Sequence, residues 1–253
     1  MDWIWVVAGI AAFTAGLMDA AVGGGGLIQI PALFGIFPKE IPASLLGTNK
    51  VSSAFGVSMA SYRFARKVTM PWAITFTTMA ASFTFSMIGT SFAQALPAEY
   101  MRPIVVTLLL IVAIQTLLQP KLGTSHEPKQ TGKKALWLAA GIGALIGGYD
   151  GFFGPGTGTF FIFAFVRIFG FDFLHASANA KLANLASNIG SIILFGLTGH
   201  VLWLIALPMA VCNLIGAYVG SHLAIRYGSK LIRKLFLVLV FLLIGKMIFD
   251  MLK

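Results

Sequence analysis

Apolar residues run along the chain in blocks, and the gaps between blocks fall at glycines, prolines and clusters of basic residues. The first block, Trp3 to Leu17, covers 15 residues. As a helix that is roughly 22 Å, less than the hydrocarbon core of a bilayer. Asp19 and four consecutive glycines, Gly23, Gly24, Gly25 and Gly26, come next, and no helix tolerates such a run cheaply. A second short block, Leu27 to Phe37, ends at Pro38, Lys39 and Glu40. The two blocks together are long for one crossing and short for two. A broken helix or a re-entrant pair is expected, with the glycine tip inside the membrane. Pro42 then opens a longer helix, Ala43 to Phe64, bounded by Arg63, Arg66 and Lys67. Further blocks run from Trp72 to Leu96 and from Ile104 to Leu118, punctuated by Pro97 and Pro120.

After a polar, basic linker the order repeats. Ala135 to Tyr149 is short and apolar, Gly154–Gly158 forms a second break, and Thr159 to Phe169 mirrors the first half's short block. Helices Leu174 to Phe195, Leu202 to Ile225 and Leu235 to Leu252 follow. The repetition has a constant offset of 131, which carries Asp19 to Asp150, Gly23 to Gly154, Gly25 to Gly156 and Lys50 to Lys181. Gly89 and Arg102 return as Gly220 and Arg233 at the same offset. This marks an internal duplication, divided as a first repeat 1–120, a linker 121–134 and a second repeat 135–253.

Composition places the chain among membrane proteins. It is 58% hydrophobic and 10% charged, with a mean hydropathy of +0.88, whereas a soluble domain is about 25% charged. The fold class expected is all-α and polytopic. The net charge of +10 does not point to nucleic acid, because the basic residues cluster between apolar blocks, as in cytoplasmic loops. Charge also orients the halves. Arg63 to Lys67 is strongly basic while its equivalent, Leu194 to Thr198, is uncharged; Ala95 to Arg102 is nearly neutral while Arg226 to Lys234 is basic. The two repeats therefore insert upside down relative to each other, with the linker cytoplasmic and both termini outside. The one cysteine, Cys212, excludes an internal disulfide and a paired-cysteine metal or redox site. The N-terminus lacks the basic region of a signal peptide, so no cleavage is expected. No cofactor or metal centre is visible in the sequence, and nothing in it sets the oligomeric state.

Four ionisable residues flank the breaks: Asp19, Lys50, Asp150 and Lys181, with an Asp-to-Lys spacing of 31 in each half. Charges inside a membrane are functional candidates. The plainer alternative is that each Asp neutralises the Lys of its own half and pins the broken segment to the long helix. In the second half Ser177, Lys181, Asn184, Asn188 and Ser191 recur at steps of four and three, one face of a helix. In the first half Lys50 and Ser53 share a face, and small residues such as Ser52, Ala54 and Gly56 also suit close helix packing. The broken ends offer backbone N–H groups at the positive end of a helix dipole. Gly23 to Gly26 in one half and Gly154, Gly156 and Thr157 in the other are thus expected to cradle a small anion, with Asn49, Asn179, Asn184 and Asn188 adding hydrogen bonds. Thr159 is a further candidate donor, and Asp19 and Asp150 hold the lysines or carry a coupling proton. His126, His175 and His200 are read as solvated residues of a loop and helix ends, a proton-sensing role for His222 is weighed and set aside, and the five tryptophans are read as an interfacial belt.

At these residues a resemblance emerges. Gly16-Leu-Met-Asp19-Ala-Ala-Val-Gly23 with the glycine run to Gly26 and on to Pro31, followed by Gly47-Thr-Asn-Lys50, resembles the TauE/SafE family of membrane transporters. Tyr149-Asp150-Gly-Phe-Phe-Gly154-Pro-Gly156-Thr-Gly158 and Asn179-Ala-Lys181-Leu-Ala-Asn184 resemble that family's second-half signature, in the form of its YfcA-type branch. The resemblance spans essentially the whole chain. It implies a carrier of sulfur-containing anions, sulfite or small organosulfonates, exporting across a bacterial inner membrane. From the residues themselves the expectation is a secondary transporter working by alternating access around a midplane site. A passive anion channel is the alternative. A membrane enzyme is disfavoured, because Gly156 to Thr159 offers no nucleophile with a histidine partner.

Overall fold

The computed structural model describes residues 2–97, 99–101, 103, 104, 107, 108, 111 and 126–227. These residues are overwhelmingly helical, with no strand among them. The first half carries α1 (Asp2–Val22), α2 (Gly26–Ile36), α3 (Pro42–Ala65) and α4 (Trp72–Ala95). The second carries α5 (Gly132–Phe152), α6 (Thr157–Ala164) with a π-helical turn at Phe165–Phe169, α7 (Phe173–Leu197) and α8 (Trp203–Tyr227). The starts of α2, α3 and α4 each precede those of α6, α7 and α8 by 131 residues. The offset read from residues is therefore also an offset of elements. The expected helix Ile104 to Leu118 lies mostly outside the described residues. Leu235 to Leu252, the basic run beyond Tyr227 and residues 121–125 of the linker lie wholly outside them.

Among the described residues four helices, α1, α5, α7 and α8, are long and apolar enough to cross a membrane by length and composition. Helices α3 and α4 have 24 residues each, enough for about 36 Å; their Ser, Thr and Asn residues lower the hydropathy and are largely turned inward. Trp3, Trp5, Trp72, Trp137 and Trp203 are all exposed near helix starts, as expected of a belt at the membrane surface.

The broken segments differ from the sequence expectation in length. Helix α1 does not stop near Leu17 but runs 21 residues, through Asp19 to Val22. Helix α5 does the same through Asp150 to Phe152. Each carboxylate thus sits in the last turn of a helix long enough to cross. The carboxylate does not end the helix, because a charged side chain leaves the backbone i→i−4 hydrogen bonds intact. The glycine that follows ends it: Gly23 has φ 89° and Gly154 φ 100°, a left-handed conformation that residues with a side chain rarely adopt. The chain then restarts in the short helices α2 and α6, of 11 and 8 residues.

The two halves interlock. Helix α1 runs alongside α8 in the same direction, Gly16 against Asn213, Phe13 against Gly216 and Leu17 against Gly220. Helix α5 runs alongside α4 in the same way, with Gly143 against Thr78, Gly147 against Ser82 and Gly151 against Ser86. The contacts are equivalent under the 131-residue offset: a Cβ on Gly220 would lie 2.1 Å from the Leu17 carbonyl oxygen, and one on Gly89 2.0 Å from that of Gly148. Inside a bilayer there is little hydrophobic drive between helices, so such glycine-mediated backbone approach supplies the packing energy. Helices α3 and α7 meet antiparallel between these pairs, with Gly47 at the start of α3 against Phe195 near the end of α7. Each half thus buries its first helix against the last described helix of the other.

This packing separates two glycines of similar helical setting. A Cβ at Gly216 would fall 2.0 Å from the Phe13 carbonyl oxygen, while one at Gly141 meets nothing within 4 Å. Gly216→Val is expected to force α1 from α8 and cost about 1–3 kcal/mol or more. Gly141→Ala is expected to be neutral or stabilising by up to about 1 kcal/mol. Thermal melting of the detergent-purified variants reads both; equal effects would contradict the interlocked packing.

Candidate functional site

The two breaks meet in the interior. Gly23 packs on Gly158 so closely that a Cβ on Gly23 would lie 2.6 Å from the Gly158 carbonyl carbon. The Thr159 N–H donates to the Gly23 carbonyl at 3.0 Å, and the Thr159 hydroxyl to the Val22 carbonyl at 2.9 Å. Thr159 is thus a clasp between the halves and not the ligand donor expected from sequence. Tyr149 braces the second break, its hydroxyl donating to the Pro155 carbonyl at 2.7 Å. The result sets the N-termini of α2 and α6 beside one cavity.

The ion pairs cross between the halves. Lys50 of α3 lies 2.8 Å from Asp150 of α5, and Lys181 of α7 lies 3.2 Å from Asp19 of α1. The plainer alternative, in which each Asp neutralises the Lys of its own half, is not what the fold adopts. The reason is the interlock: the antiparallel contact of α3 with α7 brings each lysine to the end of the opposite half's first helix. Both lysines are buried to within 2% of full enclosure, so pairing is what makes their burial tolerable.

The two pairs are not equivalent. Asp150 is held firmly. One carboxylate oxygen receives Lys50 and lies 2.7 Å from the Thr157 hydroxyl, and the other accepts from Ser187 at 2.5 Å. At the matching positions in the first half stand Gly26 and Gly56, which have no hydroxyl. Asp19 instead accepts from the Gly25 N–H at 3.2 Å and from Lys181, whose ammonium also donates to the Asp19 backbone carbonyl.

A small cavity lies between the breaks. From the first half, Asp19, Gly23, Gly26, Asn49, Lys50 and Ser53 line it. From the second come Asp150, Gly154, Gly156, Thr157, Asn184 and Asn188, together with Gly158. It has about 10 Å³ open to a water-sized sphere, room for a single water molecule. The Asn49 Oδ1 and Asn188 Nδ2 atoms at its wall are buried and have no hydrogen-bond partner among the described residues. Buried polar atoms of this kind call for a water or a ligand.

Most of the sequence candidates converge here, but Gly24, Gly25, Asn179 and Lys181 do not line the cavity. The Asn179 amide oxygen accepts from Thr75 at 2.6 Å and its amide N–H donates to the His175 carbonyl at 2.8 Å. It ties α7 to α4. The face Ser177, Lys181, Asn184, Asn188 and Ser191 is buried throughout, yet only its two asparagines reach the cavity. Ser187 was not anticipated, although a hydroxyl three residues after Asn184 in an apolar helix marks it in retrospect. The buried pair in which Asn213 donates to Gln29 at 2.8 Å joins positions far apart in sequence and had no local signal.

A helical bundle with paired breaks, buried crossed ion pairs and a polar cavity defines a polytopic membrane transporter. The profile of the family described as Sulfite exporter TauE/SafE matches residues 8–247, and the chain belongs to that family. It is 37% identical over 239 residues to the probable membrane transporter protein YfcA of Escherichia coli strain K12, covering 94% of this chain and 87% of the relative. It is 35% identical over 243 residues to the probable membrane transporter protein ORF9 of Sinorhizobium sp, covering 95% and 91%. A probable membrane transporter protein of Haemophilus influenzae is 34% identical over 238 residues, covering 94% and 92%. No solved structure matches the chain. The protein is therefore a membrane transporter of bacterial type.

The crossed pairing has a direct consequence for mutants. Lys50→Met strands Asp150 without its cation, an expected cost of about 3–5 kcal/mol. Adding Asp150→Asn to the same chain is expected to recover folded protein, whereas adding Asp19→Asn is not. Fluorescence-detected size exclusion of solubilised variants reads the difference. Recovery by Asp19→Asn alone would return the lysine to the carboxylate of its own half.

Proposed function

We propose that the protein is a secondary transporter of small anions, of the sulfur oxyanion and organosulfonate class, working by alternating access. The observation that carries this reading is the cavity itself. Two helix N-termini, the Lys50 ammonium and the unpartnered Asn188 amide N–H converge on one buried point. The two carboxylates of its wall, Asp19 and Asp150, are each neutralised by a lysine, which leaves the helix dipoles and amide donors to favour an anion. The substrate class follows the printed description of the family as sulfite exporters.

The 131-residue offset of helices, the antiparallel meeting of α3 and α7 and the equivalent contacts of α1 with α8 and α4 with α5 support two inverted-topology repeats, 1–120 and 135–253, joined by the linker 121–134. Such repeats exchange conformations when a site alternates between the two sides. The basic composition of 121–134 supports a cytoplasmic linker in the inner membrane, with both termini periplasmic.

The step at the site is a competition for Lys50. A pyramidal oxyanion is larger than the one water the cavity admits, so it enters only as the Lys50–Asp150 pair parts. Lys50 then turns its charge to the anion, while Asp150 keeps Thr157 and Ser187 or takes up a proton. Lys181, enclosed against Asp19 and away from the cavity wall, holds the other half in place until the conformations exchange.

Flux of labelled sulfite and of a small sulfonate into proteoliposomes tests this. Wild type is expected to give saturable flux with counterflow. The charge-neutral pair Lys50→Met with Asp150→Asn is expected to lose about ten- to hundredfold, the worth of one charged hydrogen bond. The equivalent change, Lys181→Met with Asp19→Asn, is expected to slow exchange more than it weakens binding. Flux without saturation or counterflow would make the protein a channel. Absence of flux for both anions from folded protein would remove the sulfur-anion assignment.

A further inference from the structure

Away from the cavity the fold assembles a cluster that no stretch of sequence contains. His126 lies within the linker, and Asp172 and His175 lie 46 and 49 residues later, at the start of α7. The linker reaches them because its backbone is tied to the turn after the π-helix. The Glu127 N–H donates to the Gly170 carbonyl at 2.8 Å and the Lys129 N–H to the Phe169 carbonyl at 2.9 Å. The His126 ring is thereby held, stacked on His175 with centroids 3.8 Å apart and on Phe171 at 5.5 Å.

The geometry points to a binding site for one divalent transition-metal ion, of the zinc class, formed by His126, Asp172 and His175 and fastening the linker to the second half.

Three observations carry it. First, one ligand atom from each residue lies within 4.8 Å of the others, with His175 Nδ1 2.8 Å from one Asp172 oxygen and His126 Nδ1 3.8 Å from the other. Ligands sharing one zinc at metal–ligand distances of about 2.0–2.2 Å stand roughly 3–3.5 Å apart, so rotation of the imidazole rings suffices. Second, the competing bond is weak: the Asp172 N–H reaches His126 Nδ1 only at 3.4 Å, a long hydrogen bond that an ion would displace. Asp172 caps α7 through one oxygen, which accepts the His175 N–H at 2.8 Å, leaving the other for an ion. Third, the donor set matches the class: two imidazoles and a carboxylate suit zinc, nickel or copper, not calcium or magnesium. The three residues are partly exposed, so water completes the coordination.

The ion would clamp the linker against the N-terminus of α7, the helix that carries Lys181, Asn184 and Asn188. Its effect would fall on the segment that leads from the second break to the site.

Titration of metal-stripped, detergent-solubilised full-length protein with cobalt, followed by its visible absorption, tests the site without reference to transport. One cobalt per chain is expected, displaced by zinc. His126→Ala, in an exposed loop where folding should not suffer, and His175→Ala are each expected to weaken binding by about tenfold or more. His200→Ala with His222→Ala is expected to leave it unchanged. Absence of cobalt and zinc uptake by wild type, or unchanged binding in the His126→Ala and His175→Ala double variant, would overturn the proposal and leave the cluster as a hydrogen-bonded clasp.

Discussion

Two lysines and two aspartates are buried in an apolar bundle, and each lysine is neutralised by the carboxylate of the opposite half. An unpaired charge in such a setting costs several kcal/mol, so the pairs constrain everything around them. They go together with the ends of α1 and α5, the antiparallel meeting of α3 and α7 and the interlock of the halves. A half-chain folded alone would hold two buried charges with no partner across the interface. The crossed pairing also couples the halves electrostatically: separating Lys50 from Asp150 alters the same contact surface that carries Lys181 and Asp19.

Glycine makes this arrangement sterically possible at two levels. Along α1, α4, α5 and α8 it lets carbonyl groups of one helix approach the backbone of another, replacing the hydrophobic drive that a bilayer withholds. At Gly23 and Gly154 it supplies the left-handed turn that ends one helix and starts the next. The two uses are continuous in space, since Gly23 itself packs on Gly158 across the halves. Closing the breaks against each other sets two helix N-termini on one small cavity and leaves little room in it.

That tightness gives the site its character. The cavity wall is polar, its amides are not all satisfied, and its cation is already engaged by a carboxylate. On the proposed reading, an anion would enter by offering Lys50 a better partner than Asp150, which would tie binding to a structural change. The second pair, whose lysine is enclosed and anchored to a backbone carbonyl while its Asp19 carboxylate borders the cavity, is built differently although the sequence positions correspond. Replacement of Thr157 and Ser187 by glycines at the equivalent positions accounts for the difference, since only Asp150 then has hydroxyl donors.

Hydropathy was enough to read an all-α membrane chain, and the glycine runs and constant offset pointed to the two breaks and to most of the residues that line the small cavity. These features are written locally: a helix needs an apolar run, a break needs glycines, and a duplicated element repeats its spacing. Tertiary structure decided the partners. Asp19 and Lys50 are 31 residues apart and suggest a pair, but only the packing of α3 against α7 shows that Lys50 goes to Asp150. Asn179 looked like a ligand donor because it shares a motif with Lys181, and contact with Thr75 of α4 turned it into a brace. The meeting of His126 with Asp172 and His175 depends likewise on where the linker folds back. Pairing across distant segments is set by the directions and rotations of whole helices, which no single stretch of sequence encodes.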